Sequence, residues 1–485
     1  MKRGSPSVGN LARCFVALGL LGLSLGACGA DASRAGAGGG SSAVVGGSGG
    51  NLVGIGGSPA SAGAQSASGA SSAGPGGAGG TGSAGSAGSG GQAVGGAGSA
   101  GGGGAAGAGA SGPSWVGTWA SAQQLTEEAN EPPEPGLTSN TLRQIVRVSI
   151  GGQRLRLRFS NQYGTTPITL NRARCAVSTG GSAIDPSTDA ELRFDGAASV
   201  SIPNGQSVLS DALDFPLAPL SKLAVSIHFG ATSDAITGHP GSRTTSYLQP
   251  GDATAAATLP SAVTTDHWYV LSGIDVLTDA SPGAVAILGD SITDGRGSTT
   301  NGNDRWTDFL AQRLQNTAAT SGVGVLNVGI GGNSVVSGGL GPTAMARFDT
   351  DVLAQSGVRW LIVFEGVNDI GSSTEPGVAE DLIGAYQQFV GKAHGAGLLA
   401  YGATILPFNG HSYYSADHEE ARQSVNAWIR APGNFDAVID LDAAVRDPAQ
   451  PDVLLPAYDS GDYLHLNPSG YQRLAEAVEL ELLTP

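Results

Sequence analysis

The sequence predicts an α/β protein: a three-layer α/β/α domain on a five-stranded parallel sheet, preceded by a β-rich domain of sandwich or jelly-roll type. From Ala284 onward, short apolar runs alternate with helical stretches, the pattern of βαβ units. From Trp115 to about Asp279, runs of alternating polar and apolar residues sit between Pro/Gly/Asp turns, as in all-β domains. Composition sets the outer limit: of 485 residues 79 are Gly. Most of these lie between Gly36 and Gly112, which leaves Trp115 to Pro485 as the foldable part.

Residues 1–27 have the three parts of a secretory signal. Lys2, Arg3 and Arg13 supply positive charge, and Phe15 to Leu25 is an apolar run too short to span a bilayer. The closing Leu25-Gly26-Ala27-Cys28 resembles the lipobox of bacterial lipoproteins. That resemblance implies cleavage before Cys28 and acylation of the cysteine, a lipid anchor outside the cytoplasm. The alternative is ordinary secretion with cleavage near Ala30. Residues 28–113 read as a tether, since the Gly/Ser/Ala tract cannot bury enough apolar surface to offset chain entropy. As a flexible coil it would span about 45–50 Å end to end.

Residues 114–281 form the expected β-rich domain. Arg143 to Ile150 and Arg154 to Phe159 both alternate, and Gly151-Gly152 between them predicts a hairpin. Its arginines are expected on a solvated sheet face. Further strands are expected at Ser199 to Ile202, Leu223 to Phe229 and Trp268 to Val276. His228, His239 and His267 lack the spacing of metal ligands and are expected to be structural.

Residues 282–485 carry the strand–helix alternation. Ala284-Val285-Ala286-Ile287-Leu288 is apolar throughout and too short for a helix, so it reads as a strand buried on both faces. Strands are expected again at Val325 to Val328, Trp360 to Phe364, Leu398 to Gly402 and Ala437 to Asp440. Helices are expected near Asp304 to Gln315, Thr343 to Ala354, Val378 to His394, Glu419 to Ile429 and Pro468 to Leu482. The last begins at Asn467-Pro468, a cap followed by proline.

The formal charge of −16, from 24 basic and 40 acidic residues, argues against a nucleic-acid partner, which needs a basic face. Of Cys14, Cys28 and Cys175, the first is expected to be removed and the second modified. That leaves no disulfide and no zinc site.

Four short motifs fall just past a strand end or before the last helix, so all can meet at one edge of the sheet. Gly289-Asp290-Ser291 breaks the first strand and presents a serine where ligands bind in open α/β sheets. Asp290 and Ser291 would also serve simply as turn caps. After the second strand, Asn327 to Ser334 contains Gly329, Gly331 and Gly332, where the backbone can approach a substrate oxygen. After the third comes Gly366-Val367-Asn368-Asp369, whose Asn368 carboxamide is a second donor. Before the final helix, Asp462 and His465 are spaced so that the carboxylate can hold one ring nitrogen while the other faces the serine.

This set resembles the SGNH, or GDSL-type, esterase family, over about Ala284 to Pro485. The resemblance implies a flavodoxin-like three-layer domain, with Ser291 as nucleophile and Asp462 and His465 completing the triad. It also implies an oxyanion hole from Ser291, Gly332 and Asn368, with Gly332 preferred to Gly331 by its spacing from Asn327. The wording Gly-Asp-Ser-Ile-Thr-Asp-Gly is similar to a secreted bacterial subgroup that has a β domain in front. No cofactor and no metal are required. Asp290 and Asp369 are expected to brace their loops through hydrogen bonds.

Thr293 to Asn303, Val335 to Pro342 and Pro407 to Asp417 are expected to wall the pocket. Phe408, His411, Tyr413 and Tyr414 in the last could face a substrate or simply pack the loop. His411 and His418 lack a third ligand for a metal. The favoured reading is an extracytoplasmic carboxylic ester hydrolase acting on acetylated carbohydrate. The alternatives are a broad esterase or lysophospholipase, and a non-catalytic carbohydrate-binding surface lipoprotein.

Overall fold

The apolar runs of the C-terminal part form one parallel sheet in the computed structural model, which describes residues 112–279 and 282–484. The expected signal segment, Cys28 and the expected tether up to residue 111 lie outside the described residues. The five strands are β1 (Gly283–Gly289), β2 (Val323–Gly329), β3 (Val358–Phe364), β4 (Leu399–Ala403) and β5 (Ala437–Ile439). They run in the order β2-β1-β3-β4-β5, every pair parallel. Every residue of β1 is buried, which is why its sequence is apolar throughout and does not alternate. The order reverses at β1, so a crevice opens beyond its carboxyl end.

The helices are α1 (Ser291–Asp294), α2 (Trp306–Gln315), α3 (Ala344–Phe348), α4 (Val367–Ser372), α5 (Val378–Gly395), α6 (Ala416–Arg430), α7 (Leu441–Val445) and α8 (Pro468–Glu476). Helix α8 packs on α2 and α7, while α5 packs on α3, α4 and α6. Two expected helices are shorter in the structure. Helix α3 gives way to a π-turn at Asp349–Leu353, and α8 stops at Glu476 before a separate 3-10 turn at Leu480–Leu483. Helix α6 starts before the expected Glu419, because Ser415 caps it by accepting from the His418 N–H. The single-turn helices α4 and α7 are too short to show a helical period.

In the N-terminal part the strands pair antiparallel. Asn140–Arg147 lies between Lys222–Phe229 and Ser246–Pro250 in the largest sheet, and Gly152–Ser160 lies between Leu271–Thr278 and Leu213–Leu217 in another. The expected hairpin across Gly151-Gly152 therefore does not form: its two arms belong to different sheets. Thr118 redirects the chain between them. Its carbonyl accepts from Ser149 N–H at 2.9 Å, and its hydroxyl donates to the Ile150 carbonyl at 2.7 Å. The expected strand Trp268 to Val276 is broken at Val270, whose φ is +67°.

The arginines of the first two strands do not share one solvated face: Arg154 is 43% exposed, but others are bound inside. Arg143 is fully buried and donates to the Ser226 hydroxyl and to the carbonyls of Ser182, Thr254 and Ala256. Arg156 bonds Asp275 at 2.9 Å and lies over the Trp115 ring. Alternation marks which face a residue occupies. It does not reveal that acceptors await a guanidinium on the other side.

One hydrophobic core runs through both parts, from Val116 and Trp119 to Leu326 and Val328 and on to Leu474. At the junction Gly117 donates its N–H to the Ser356 carbonyl at 2.9 Å and sits against the Leu326 side chain.

Candidate active site

The end of β1 shapes the first element of the site. Asp290 caps α1 by accepting the Ile292 N–H at 2.9 Å, and Gly295 closes the helix at a φ of +102°. Ser291 stands at the head of this single turn, over the carboxyl end of the sheet. Its Oγ lies 2.8 Å from His465 Nε2. On the other side of the ring, His465 Nδ1 lies 2.7 Å from Asp462 Oδ2.

The histidine arrives by a tightly built turn. Asp462 Oδ1 accepts the backbone N–H groups of Leu464 at 3.1 Å and His465 at 2.8 Å. Just beyond, Asn467 caps α8 by accepting from Gly470 N–H, with Pro468 at the first helical position. Asp462 is partly buried, which pushes its pKa up. The two backbone bonds and the imidazole outweigh this and hold it at about 2. Burial lowers the His465 pKa below its ordinary value, opposed by the Asp462 carboxylate. At neutral pH the imidazole is therefore uncharged. With Nδ1–H given to Asp462, Nε2 is the acceptor facing Ser291.

Two loops border the serine. Gly331 and Gly332 both line the cleft in front of Ser291. Gly332 has a φ of +70°, a conformation open to glycine, and neither residue's N–H is hydrogen-bonded within the described chain. Asn368 is buried on α4, its Nδ2 donating to the Asn333 carbonyl at 2.8 Å and its Oδ1 accepting from Tyr413 Oη at 3.1 Å. Asp369 ties the two loops together by accepting Val335 N–H at 2.8 Å and Val336 N–H at 3.0 Å.

Behind the site lies Arg347, which no sequence pattern singles out. It bonds the Gly289 carbonyl at 3.0 Å, the Asn333 side chain at 2.9 Å and Asp351 at 3.1 Å. Around it are buried carboxyls. Desolvation raises Asp290 to about 7 and Glu365 to about 8, with Arg347 opposing the rise in both.

The cleft has a volume of about 520 Å³. Ser291, Asn368, Asp462 and His465 line it together with Asp294 and Arg296, Leu340, and His411 and Tyr413. Each of the three expected loops thus contributes. Within the third, Phe408 is wholly buried and Tyr414 bonds Asp452, so neither reaches the cleft. The opposite wall was not foreseen: it comes from the β-rich part, through Gln124, Glu127 and Asn130 and through Gly241, Arg243 and His267. Among the described residues no group of three or more His, Cys, Asp or Glu side chains is placed to hold a metal ion.

Residues 287–473 match the family model of the GDSL-like lipases and acylhydrolases. This stretch is a GDSL-like lipase/acylhydrolase domain. The matched residues include the serine turn, the Gly331-Gly332 and Asn368 loops and the Asp462–His465 turn, so the chain carries the domain of a serine ester hydrolase.

Solved structures similar to the chain include an acetylxylan esterase from Geobacillus stearothermophilus, 22% identical, covering 41% of this chain and 93% of that one with a TM-score of 0.32. An α/β hydrolase from the metagenome of Lake Arreo, Spain, is 20% identical over 41% of this chain and 94% of its own, with a TM-score of 0.32. A GDSL-like lipase from Bacteroides thetaiotaomicron is 19% identical over 40% and 84%, with a TM-score of 0.30. No curated protein matches the chain.

Proposed function

We propose that the protein hydrolyses carboxylic esters through an acyl-enzyme on Ser291, with His465 as base and Asp462 as its partner. The unbroken contact from Ser291 Oγ through His465 to Asp462 carries this reading, at 2.8 and 2.7 Å. His465 Nε2 takes the hydroxyl proton as Ser291 attacks the ester carbonyl, and Asp462 stabilises the imidazolium that forms. The N–H groups of Ser291 and Gly332 and the Asn368 carboxamide receive the oxyanion. The imidazolium returns its proton to the departing alcohol, and water then releases the acid by the reverse of the same steps.

The favoured substrates are short acyl esters of polar alcohols, acetylated carbohydrate among them. Gln124, Asn130, Arg243, His267 and His411 give the cleft polar walls suited to a hydroxyl-bearing alcohol. Leu340 favours the second reading, a broad esterase or lysophospholipase: it lines the cleft and is 52% exposed, so an acyl chain could lie on it. Side-by-side rates on acetylated xylan and on p-nitrophenyl esters of increasing acyl length decide between the two. Rates that peak at acetyl support the first reading, and rates that climb with chain length overturn it. Labelling of Ser291 by a fluorophosphonate tests the mechanism itself and separates it from a merely carbohydrate-binding role.

The proposed setting is outside the cytoplasm, anchored through an acylated Cys28 or, in the alternative, secreted free. Support for this is the charged, apolar and small-residue order of residues 1–27 and the cysteine that follows.

A further inference from the structure

The β-rich part reaches into the nucleophile turn at one place. His239, on the strand Thr237–His239, is buried with its ring stacked on Trp268, the centroids 5.7 Å apart. Its Nδ1 lies 2.9 Å from the Ala122 carbonyl and its Nε2 lies 2.9 Å from Asp294 Oδ1. Asp294 is the last residue of α1, the turn that Ser291 begins, and is itself buried. The carboxylate is packed closely on the far side too. A Cβ at Gly241 would fall 1.7 Å from Asp294 Oδ2, so only glycine fits there. The other end of α1 is held by Asp290, and near its exit the Asn327 carboxamide donates to the Thr293 carbonyl at 2.7 Å, so Asp294 is the tie from this turn to the β-rich part.

Hydrogen-bond chemistry restricts what the pair can be. A carbonyl only accepts, so Nδ1–H must donate to Ala122. Nε2 then meets a carboxyl oxygen, and a bond forms there only if one proton lies between them. The pair therefore holds that proton between its two members and makes a rigid link from the Ala122 carbonyl to α1. Arg305 doubles the clamp: its Nε donates to the Asp294 carbonyl at 2.9 Å, and its other arm reaches the Ser242 carbonyl of the same β-rich loop. Arg243 stands 3.8 Å from Asp294 Oδ2, beyond hydrogen-bond range.

The geometry points to His239 as a positioning residue: it holds Asp294, and through it the Ser291 turn, in the register that meets His465. The β-rich part is on this account a component of the active site, beyond walling it. The inference rests on Ser291 being the nucleophile, and a separate arm tests that.

The test uses the full chain and its His239→Ala, Asp294→Ala and Asp294→Asn forms and the double alanine variant, measuring kcat, KM and Tm with p-nitrophenyl acetate. Each single alanine change is expected to lower kcat on the order of 10- to 100-fold while KM moves less than about threefold, the pattern of a misplaced reacting group. The double variant should be no worse than the poorer single one, because the two side chains act as one unit. In Asp294→Asn the carboxamide N–H can donate to a neutral Nε2, so most of the rate lost in Asp294→Ala should return. Unchanged kcat in a folded His239→Ala, fully additive losses, or Asp294→Asn as slow as Asp294→Ala would each overturn the assignment. If His239→Ala does not fold, the Asn-against-Ala contrast at residue 294, compared at equal Tm, decides alone. Turnover retained by Ser291→Ala would instead sink the nucleophile reading and leave the pair's link to α1 intact as a structural contact.

Discussion

Tyr413 Oη donates a 3.1 Å hydrogen bond to Asn368 Oδ1. The carboxamide cannot turn over without losing both this bond and the one from Nδ2 to Asn333, so the two bonds fix its orientation. Tyr413→Phe should therefore lower kcat several-fold with little change in KM, whereas Asn368→Ala should cost on the order of 100- to 1,000-fold, the usual loss for an oxyanion donor. Steady-state kinetics on p-nitrophenyl acetate checks both. Equal losses for the two variants would show that Tyr413 does more than orient the amide.

Ser291→Ala should abolish turnover and fluorophosphonate labelling while leaving the fold intact by circular dichroism. Asp462→Asn should keep the geometry but remove the charge that stabilises the imidazolium, lowering kcat on the order of 10³- to 10⁴-fold.

Activity should rise with pH as His465 loses its proton, because only the neutral ring accepts from Ser291. Burial lowers this group's pKa, so the midpoint belongs below the ordinary histidine value of 6.5. A kcat/KM profile between pH 4 and 8 gives the midpoint, and one clearly above that value would contradict the assignment of the base.

Thermal stability should move in the opposite direction. Glu365 rises from an ordinary 4.5 to about 8 in the folded protein, chiefly through desolvation. A carboxyl with a raised folded pKa holds its proton more tightly when folded. Its contribution is complete below about pH 4.5 and is lost as pH climbs through about 8. Glu365→Gln should thus be near neutral at pH 5 and raise Tm relative to the parent at pH 9. No relative gain at pH 9 would mean that the carboxyl ionises in the fold at no cost and that its pKa is not raised.

The sequence showed the parallel sheet clearly because strands buried on both faces leave unbroken apolar runs, as at Ala284 to Leu288. It placed Ser291, Gly332, Asn368, Asp462 and His465 at strand ends and before α8, where the structure brings them to one cleft. Its failures share a cause. Arg143 and Arg347 are buried among carbonyls and carboxylates contributed by distant segments, and no local pattern announces such acceptors. The false hairpin at Gly151-Gly152 failed likewise, since Thr118 redirects the chain there. His239 is structural as its spacing implied, but its partners, Ala122 and Asp294, are far from it along the chain and could not be named.

At the junction, Gly117 fits against Leu326 and bonds Ser356, and apolar side chains from both parts make one continuous interior. A region joined in this way cannot be traded between enzymes like a module on a linker, since removing it would uncover the β2 flank of the sheet. Change in what this hydrolase accepts is therefore to be sought in substitutions matched across the seam, one residue on each side at a time.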